Sequence, residues 1–438
     1  MSVGLQRLRD EPDMLRRAAA DKGEDATVVD RALDLDDRRR TLLAEGDALK
    51  AERNAASKRI GAAVRAGSDP NGTDVAELKT ASTQVADRVT AISVELATVQ
   101  SDLDDAMLRI PNPADPDVPV GGEEANVTVR SWGEPLPRDE RRPHWELAEE
   151  LGMIDNARGA KITGSGWPVY LGAGSNLQRA LISWFLDVHT RENGMIEVWP
   201  PVLVNADSAR GTGQIPDKED QMYVATRDDL YLIPTAEVPV TNLHRDEIIE
   251  ADALPIRYAA YSPSFRREAG AAGRDTRGIL RVHQFDKVEM VSFVRPGESE
   301  AELEWLTGRA ELLLQRLGLA YRVLLMSTGE MGFVQARKYD LEVWAPGVER
   351  WLEVSSVSNF RDYQARRMAI RHRPEKGGKP ELLHTLNGSG LALPRTVAAI
   401  IETYQQPDGS IIIPDVLRPY FAGRERIGAP EPSVSMPR

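Results

Sequence analysis

Between residues 75 and 110, apolar side chains return at alternating intervals of three and four: Val75, Leu78, Val85, Val89, Ile92, Leu96, Val99, Leu103, Ala106 and Ile110, with Ser82 in step. A seam sustained this long cannot belong to a strand, and it needs a second helix to cover it. The preceding stretch supplies a rougher partner in Val28, Ala32, Leu35, Leu42, Leu49, Ala56, Ile60 and Ala63, interrupted by Arg39, Gly46 and Arg53. SDPNG at 68–72 reads as the turn between them, and Asp74 followed by Glu77 as a helix start. The spacing predicts an antiparallel coiled-coil arm within residues 1–110, with helices of roughly 36–40 residues and about 55–60 Å at 1.5 Å per residue.

The rest of the 438-residue chain is long enough for at least one further domain. It has no cysteine, and its six histidines, at 144, 189, 244, 283, 372 and 384, show no ligand spacing, so no zinc is expected. The N-terminus lacks the apolar core of a signal peptide and no run approaches the roughly 20 apolar residues of a membrane span, so a cytoplasmic protein without membrane contact is expected. A net charge of −13 opposes a surface that grips nucleic acid everywhere. Charge is nevertheless local. On the first arm helix Arg38, Arg39, Arg40, Lys50, Arg53, Lys58, Arg59 and Arg65 outnumber Glu45, Asp47 and Glu52. This is either a solvated face or a phosphate-tracking surface suited to structured RNA.

IPNPADPDVPVGGEEANV ends the arm, and residues 111–127 read as a linker to a domain over 128–438. There, Leu177, Ala180, Leu181, Trp184, Phe185 and Val188 follow helical spacing up to Asn193-Gly194. MIEVWPPVLV, DDLYLIPTAEVPV, VHQFDKVEMVSFV, KYDLEVWAP and ERWLEVSSVSNF read as short strands. The expected class is α+β with a mainly antiparallel sheet. Neither GxxxxGK[ST] nor GxGxxG occurs.

FRREAGAAGRDTRG at 265–278 leads into RVHQFDKVEMVSF. In a strand, Arg266 and Glu268 share a face, as do Phe285, Lys287 and Glu289. Phe285 and Glu289 would then stand roughly 13 Å apart, enough for a ring to stack on a base while a carboxylate grips an ammonium. Arg266 would meet a phosphate, the Gly/Ala loop would cover the ligand, and Arg274, Arg277 and Arg281 would add phosphate contacts. An ordinary surface hairpin with ion pairs accounts for the same spacing.

SPSFRREAGAAGRDTRGILRVHQFDKVEM resembles motif 2, and LNGSGLALPRTVAAIIETYQ motif 3, of the bacterial seryl-tRNA synthetases within the class II aminoacyl-tRNA synthetase family. LIPTAEVPV, EVSSVSNF, the stretch around 177–201 and the arm with its RNAASKRIG segment extend the resemblance over nearly the whole chain. Pro394 departs from it, standing where many members carry glycine. The resemblance implies a serine pocket of Thr235, Ala236, Glu237, Glu289 and Ser389. It implies an ATP site of Arg266, Arg267, Glu268, Phe285, Glu353, Val354, Ser355, Ser356 and Arg395, with Phe285 and Arg395 about the adenine and Mg2+ held with ATP by Glu353 and Ser356. In a regular strand Glu353 and Ser356 point to opposite faces, so a bulge or a strand end is required there.

The implied reaction joins L-serine to ATP as seryl-adenylate and passes the seryl group to tRNA(Ser), with tRNA(Sec) as a second acceptor. Arg39, Lys50, Arg53, Lys58 and Arg59 become the tRNA-contact candidates, and a homodimer is expected. Two alternatives differ in kind: a relative that delivers the activated amino acid to a carrier, and a noncatalytic RNA-binding protein. The intact arm opposes the first, and the presence of Arg266, Glu268, Glu289 and Arg395 opposes the second.

Overall fold

The structure is a computed structural model that describes residues 3–67, 69, 72–269 and 277–428. It divides into two compact units, Met1–Pro111 and Asn112–Arg438. In the first, two short helices, α1 (Leu5–Asp10) and α2 (Pro12–Asp21), precede the long α3 (Thr27–Arg65) and α4 (Thr73–Leu108). The long pair is antiparallel: Arg38 pairs with Glu95, whereas Glu45, one heptad on, pairs with Arg88, one heptad back. Leu8 and Leu15 of the short helices join Val29, Ala32, Leu103, Ala106, Met107 and Ile110 in one core, and Leu42 meets Ile92 and Val99 further along.

Two of the three seam interruptions have a structural purpose. Arg39 donates to the buried Asp36 at 2.9 Å, and Asp36 also receives Arg9 at 2.6 and 2.9 Å, so one carboxylate ties α1 to α3. Gly46 is buried against Ile92, and a Cβ built there would lie 3.5 Å from Ile92 Cγ2. Beyond Gly46 no residue of α3 is fully buried, so its predicted seam is only half-covered at Ala56, Ile60 and Ala63.

The second unit is built on an eight-stranded sheet. In chain order its strands are β1 (Val127–Trp132), β2 (Ile196–Val198), β3 (Ile256–Phe265), β4 (Gln284–Val294), β5 (Tyr321–Leu325), β6 (Arg337–Ala345), β7 (Arg350–Asn359) and β8 (His384–Ala392). Their spatial order is β1-β5-β6-β7-β8-β4-β3-β2, antiparallel except where β2 joins β3. Helices α5 (Gly172–Asp187), α6 (Ser299–Arg316) and α7 (Leu393–Tyr404) bury their apolar faces on this sheet. Glu302 of α6 fastens the strands beneath it, accepting from Ser292 at 2.8 Å and from both arms of Arg257 at 2.7 and 2.6 Å.

Several local expectations change. The stretch 111–127, read as a linker, is largely built into the second unit. Asn112 donates through its side chain to the Val334 and Phe360 carbonyls, Asp115 N–H bonds Ala336, and Val118 packs with Leu324, Met326 and Met331. An extended Pro-rich chain satisfies its polar groups by lying on a neighbouring segment as well as by staying in water. TAEVPV is not strand: Glu237–Thr241 is a buried turn of helix that follows the strand Leu230–Leu232. Among the described residues no helix is long and apolar enough to cross a membrane.

Replacing Gly46 with alanine is expected to stabilise the protein by about 1 kcal/mol, because mid-helix glycine carries that entropic cost and the new methyl makes only ordinary contact. A denaturant midpoint raised at constant slope is the expected readout; a lowered midpoint would mean that the helices need the glycine to approach.

Candidate active site

The ladder between β7 and β8 is short. Only Val357, Ser358 and Asn359 pair with β8, opposite Gly388, Asn387 and Leu386. Beyond them the two strands part, and the opening is a cavity of about 450 Å3. Its lining includes Thr235, Glu237, Arg266, Glu268, Phe285, Lys287, Glu353, Ser356, Asn387, Ser389 and Arg395.

One end is a closed set of polar groups. Glu289 is wholly buried on β4, with Lys287 Nζ 2.5 Å from its Oε2. Lys287 also donates to Thr235 Oγ1 at 2.8 Å. Asn387 Nδ2 lies 2.9 Å from both Glu289 Oε1 and Glu237 Oε2, and Ser389 Oγ lies 3.4 Å from Glu289 Oε2. Gln364 donates to the other oxygen of Glu237 at 2.7 Å and is itself fixed by Thr385. Burial, reinforced by the neighbouring Glu289, lifts the Glu237 carboxyl to about 7. Asn387 Oδ1 is buried and accepts no hydrogen bond among the described residues, leaving an acceptor for a ligand's ammonium or hydroxyl.

The other end is cationic and aromatic. The Arg266 guanidinium lies over the Phe285 ring, 5.1 Å from its centre. Arg281 donates to Glu268 Oε2 at 2.6 Å, and Arg395 donates to the carbonyls of Glu353 and Leu280 at 3.0 and 3.1 Å. Pro394 occupies the first turn of α7, where a missing N–H is tolerated, so it leaves the helix intact beside Arg395.

The required bulge is present. The β6–β7 register shifts so that Leu341 faces Ser355 while Glu342 faces Glu353. Val354 is the extra residue. Leu352, Val354 and Val357 therefore all reach the core, and Glu353 and Ser356 both line the cavity. Burial would raise the Glu353 carboxyl, but Lys338, Arg395, Arg266 and Lys287 outweigh it and hold the group below the usual range. Beside it, burial lifts Asp340 to about 7 against the opposing pull of Lys338. Carboxylate and hydroxyl oxygens of this kind fit a hard cation such as Mg2+.

Not every residue the sequence pointed to lines the cavity. Glu289 lies wholly buried beneath the lining, Ala236 is buried in a separate apolar cluster, and Arg267 turns outward to the Asp220 carbonyl at 2.8 Å, while Ser355 lines the cavity with its hydroxyl spent on the Ser389 carbonyl at 2.6 Å. The shared face expected of Arg266 and Glu268 does not come from strand alternation. β3 ends at Phe265, and Glu268, at φ 49°, reaches the cavity through a turn. Arg274 and the Gly/Ala run at 270–273 lie outside the described residues. On the arm, Arg53, Lys58 and Arg59 are exposed and make no ion pair among the described residues, whereas Lys50 lies 3.4 Å from Asp47 and Arg39 is spent on Asp36. Sequence reasoning missed Asn387, Gln364, Lys338 and Asp340. Lys338 and Asp340 were detectable, since KYD places both on one strand face.

Residues 4–114 match the family described as Seryl-tRNA synthetase N-terminal domain, and 223–404 match the tRNA synthetase class II core domain (G, H, P, S and T). The chain is 54% identical to a Serine--tRNA ligase of Thermomicrobium roseum, across 97% of this chain and 95% of the relative. It is 50% identical to that of Exiguobacterium sibiricum, across 97% and 99%. The seryl-tRNA synthetase of Pyrococcus horikoshii, solved with ATP, superposes with a TM-score of 0.90 at 37% identity, covering 98% of this chain and all of that one.

Glu237 ties proton uptake to stability. Its unfolded value is near 4.3 and its folded value about 7, so its contribution is full below the first and is lost as pH rises through the second. Over that window, wild-type unfolding free energy is expected to fall relative to Glu237→Gln. Parallel profiles would show that Glu237 titrates as an ordinary glutamate.

Proposed function

The chain belongs to the serine--tRNA ligase family, and from that premise we propose that the cavity between β4, β7 and β8 activates L-serine with ATP and then transfers it to tRNA(Ser). The observation that carries this reading is the juxtaposition of a buried carboxylate pocket with a cationic, aromatic groove. Serine's ammonium suits Glu289 and Thr235. Its hydroxyl suits the carboxyl and amide groups of Glu237 and Asn387 and the hydroxyl of Ser389. The nucleotide suits the other end, with Phe285 and Arg395 about the base, Glu268 at its edge, and Arg266 on the α-phosphate.

Attack by the serine carboxylate needs no general base, because the nucleophile is already an anion. The difficulty is bringing anions together in line, which Arg266 addresses by position and charge. Mg2+, held by Glu353 and Ser356, would neutralise charge on the phosphates. Pyrophosphate leaves, and the ribose hydroxyl of the tRNA end then attacks the activated carbonyl, releasing AMP. Alanine would leave the buried partners of the missing hydroxyl unpaired, an effect on the order of 10⁴-fold in sites of this kind.

Residues 1–111 form the tRNA-binding arm in this reading, with Arg53, Lys58 and Arg59 the cations most available to phosphates. A cytoplasmic homodimer is also proposed. The support for the dimer is the edge strand β2, whose Ile196 and neighbouring Trp199 are 56% and 76% exposed.

Two outcomes are expected. Glu289→Ala should reduce serine-dependent ATP–pyrophosphate exchange by about 10²-fold or more, since it also strands Lys287 without its counter-charge. Exchange retained by that variant would remove Glu289 from the pocket. Exchanging Arg53, Lys58 and Arg59 together for glutamine should leave exchange intact and lower charging of tRNA(Ser) by about 10-fold or more at physiological salt. Unaltered charging would make the basic helix a solvated face.

A further inference from the structure

Outside the lining of that cavity, a buried pair has no part in the chemistry above. His144, at the start of the helix His144–Glu150, and Glu402 of α7 are both 0% exposed. The Glu402 carboxylate accepts four hydrogen bonds. His144 N–H and Nδ1–H give Oε1 3.0 and 2.8 Å contacts, and the Gly347 and Val348 N–H groups give Oε2 2.9 and 3.2 Å contacts. With Nδ1 as donor, the neutral ring presents Nε2 as an acceptor. It receives the Ile279 N–H at 3.4 Å, and Ile279 itself is fully buried.

The packing at this point allows little slack. Gly278 sits at φ 66°, and a Cβ there would lie 2.4 Å from His144 Nε2. Next in sequence, Leu280 gives its carbonyl to Arg395 Nε at 3.1 Å, and Arg281 lines the cavity and pairs with Glu268. Residues 279–281 are thus fastened at two places to one helix: to its first turn by Arg395 and to its far end through Glu402 and His144. Both attachments lie just before β4, which carries Phe285, Lys287 and Glu289.

We propose that His144 is a positioning residue for nucleotide binding. Seated on Glu402, it holds the Ile279 backbone through Nε2 so that Arg281 and Phe285 enter the cavity in a single geometry. The effect on ATP rests on the reading of the cavity given above.

Two substitutions separate this role from a structural one. His144→Asn keeps a donor at the Nδ1 position for Glu402 and loses the acceptor for Ile279. His144→Gln keeps an acceptor near Nε2 and loses the Glu402 bond. Serine-dependent pyrophosphate exchange is expected to give His144→Asn a KM for ATP raised about five- to ten-fold, with KM for serine close to wild type and a thermal midpoint lowered less than that of His144→Gln. His144→Gln should show the reverse: a lower midpoint with a near-normal KM for ATP. Hydrogen exchange over residues 277–282 should be faster in His144→Asn than in wild type. A KM for ATP that follows the thermal midpoint across the two variants would overturn the proposal, as would unchanged exchange over 277–282. That last readout needs no activity: wild-type protein inactive in pyrophosphate exchange would count against the function, while the exchange pattern would still decide the role of His144.

Discussion

Glu289 sits at zero exposure in the middle of an eight-stranded sheet, and the site is organised around keeping it there. A buried carboxylate is tolerated only when its charge and lone pairs are answered. Lys287 answers the charge, while Asn387 and Ser389 from the next strand supply donors. Each partner is then committed elsewhere, Lys287 to Thr235 and Asn387 to Glu237, so one burial fixes several side chains together. The network is connected but not complete: among the described residues the Asn387 oxygen is left without a donor, and a ligand can supply one.

Backbone irregularity supplies the room. β7 and β8 stay paired just long enough to hold Asn387 opposite Ser358 and then separate. At that point β7 carries its extra residue, which turns Glu353 and Ser356 toward the same space without taking Leu352 or Val357 out of the core. A regular ladder would have closed the cavity and sent one of the two oxygen donors into apolar packing. Helices α5, α6 and α7 bury their apolar faces in the main core, apart from the space where these charged groups stand close together.

The arm shows a different balance. Its core is narrow, and beside it the buried Asp36 carboxylate is answered by the partly exposed Arg9 and Arg39. The rougher seam of α3 is explained by this cluster and by Gly46. The arginine expected to face RNA at position 39 is instead part of the arm's own packing, which leaves the exposed Arg53, Lys58 and Arg59 as its more available cations.

Much was determined by sequence alone. Heptad spacing established the helical arm, because only a paired helix buries such a seam. From the motifs FRREAGAAGRDTRG, TAE, EVSSVSNF and LNGSGLALPRT, the residues Thr235, Glu237, Arg266, Glu268, Glu353, Ser356, Ser389 and Arg395 line one cavity, and the parity of Glu353 and Ser356 required the bulge that β7 carries. Tertiary structure decided what periodicity cannot encode. TAEVPV enters a buried turn of helix in which Glu237 is held by Gln364 and Asn387, and residues 112–119 gain partners distant in sequence. Asn387, Gln364, His144 and Glu402 are polar residues whose meaning lies in which strand or helix is packed against them. That information resides in the three-dimensional pairing of segments, where burial, rather than local spacing, sets the cost of leaving a hydrogen bond unmade.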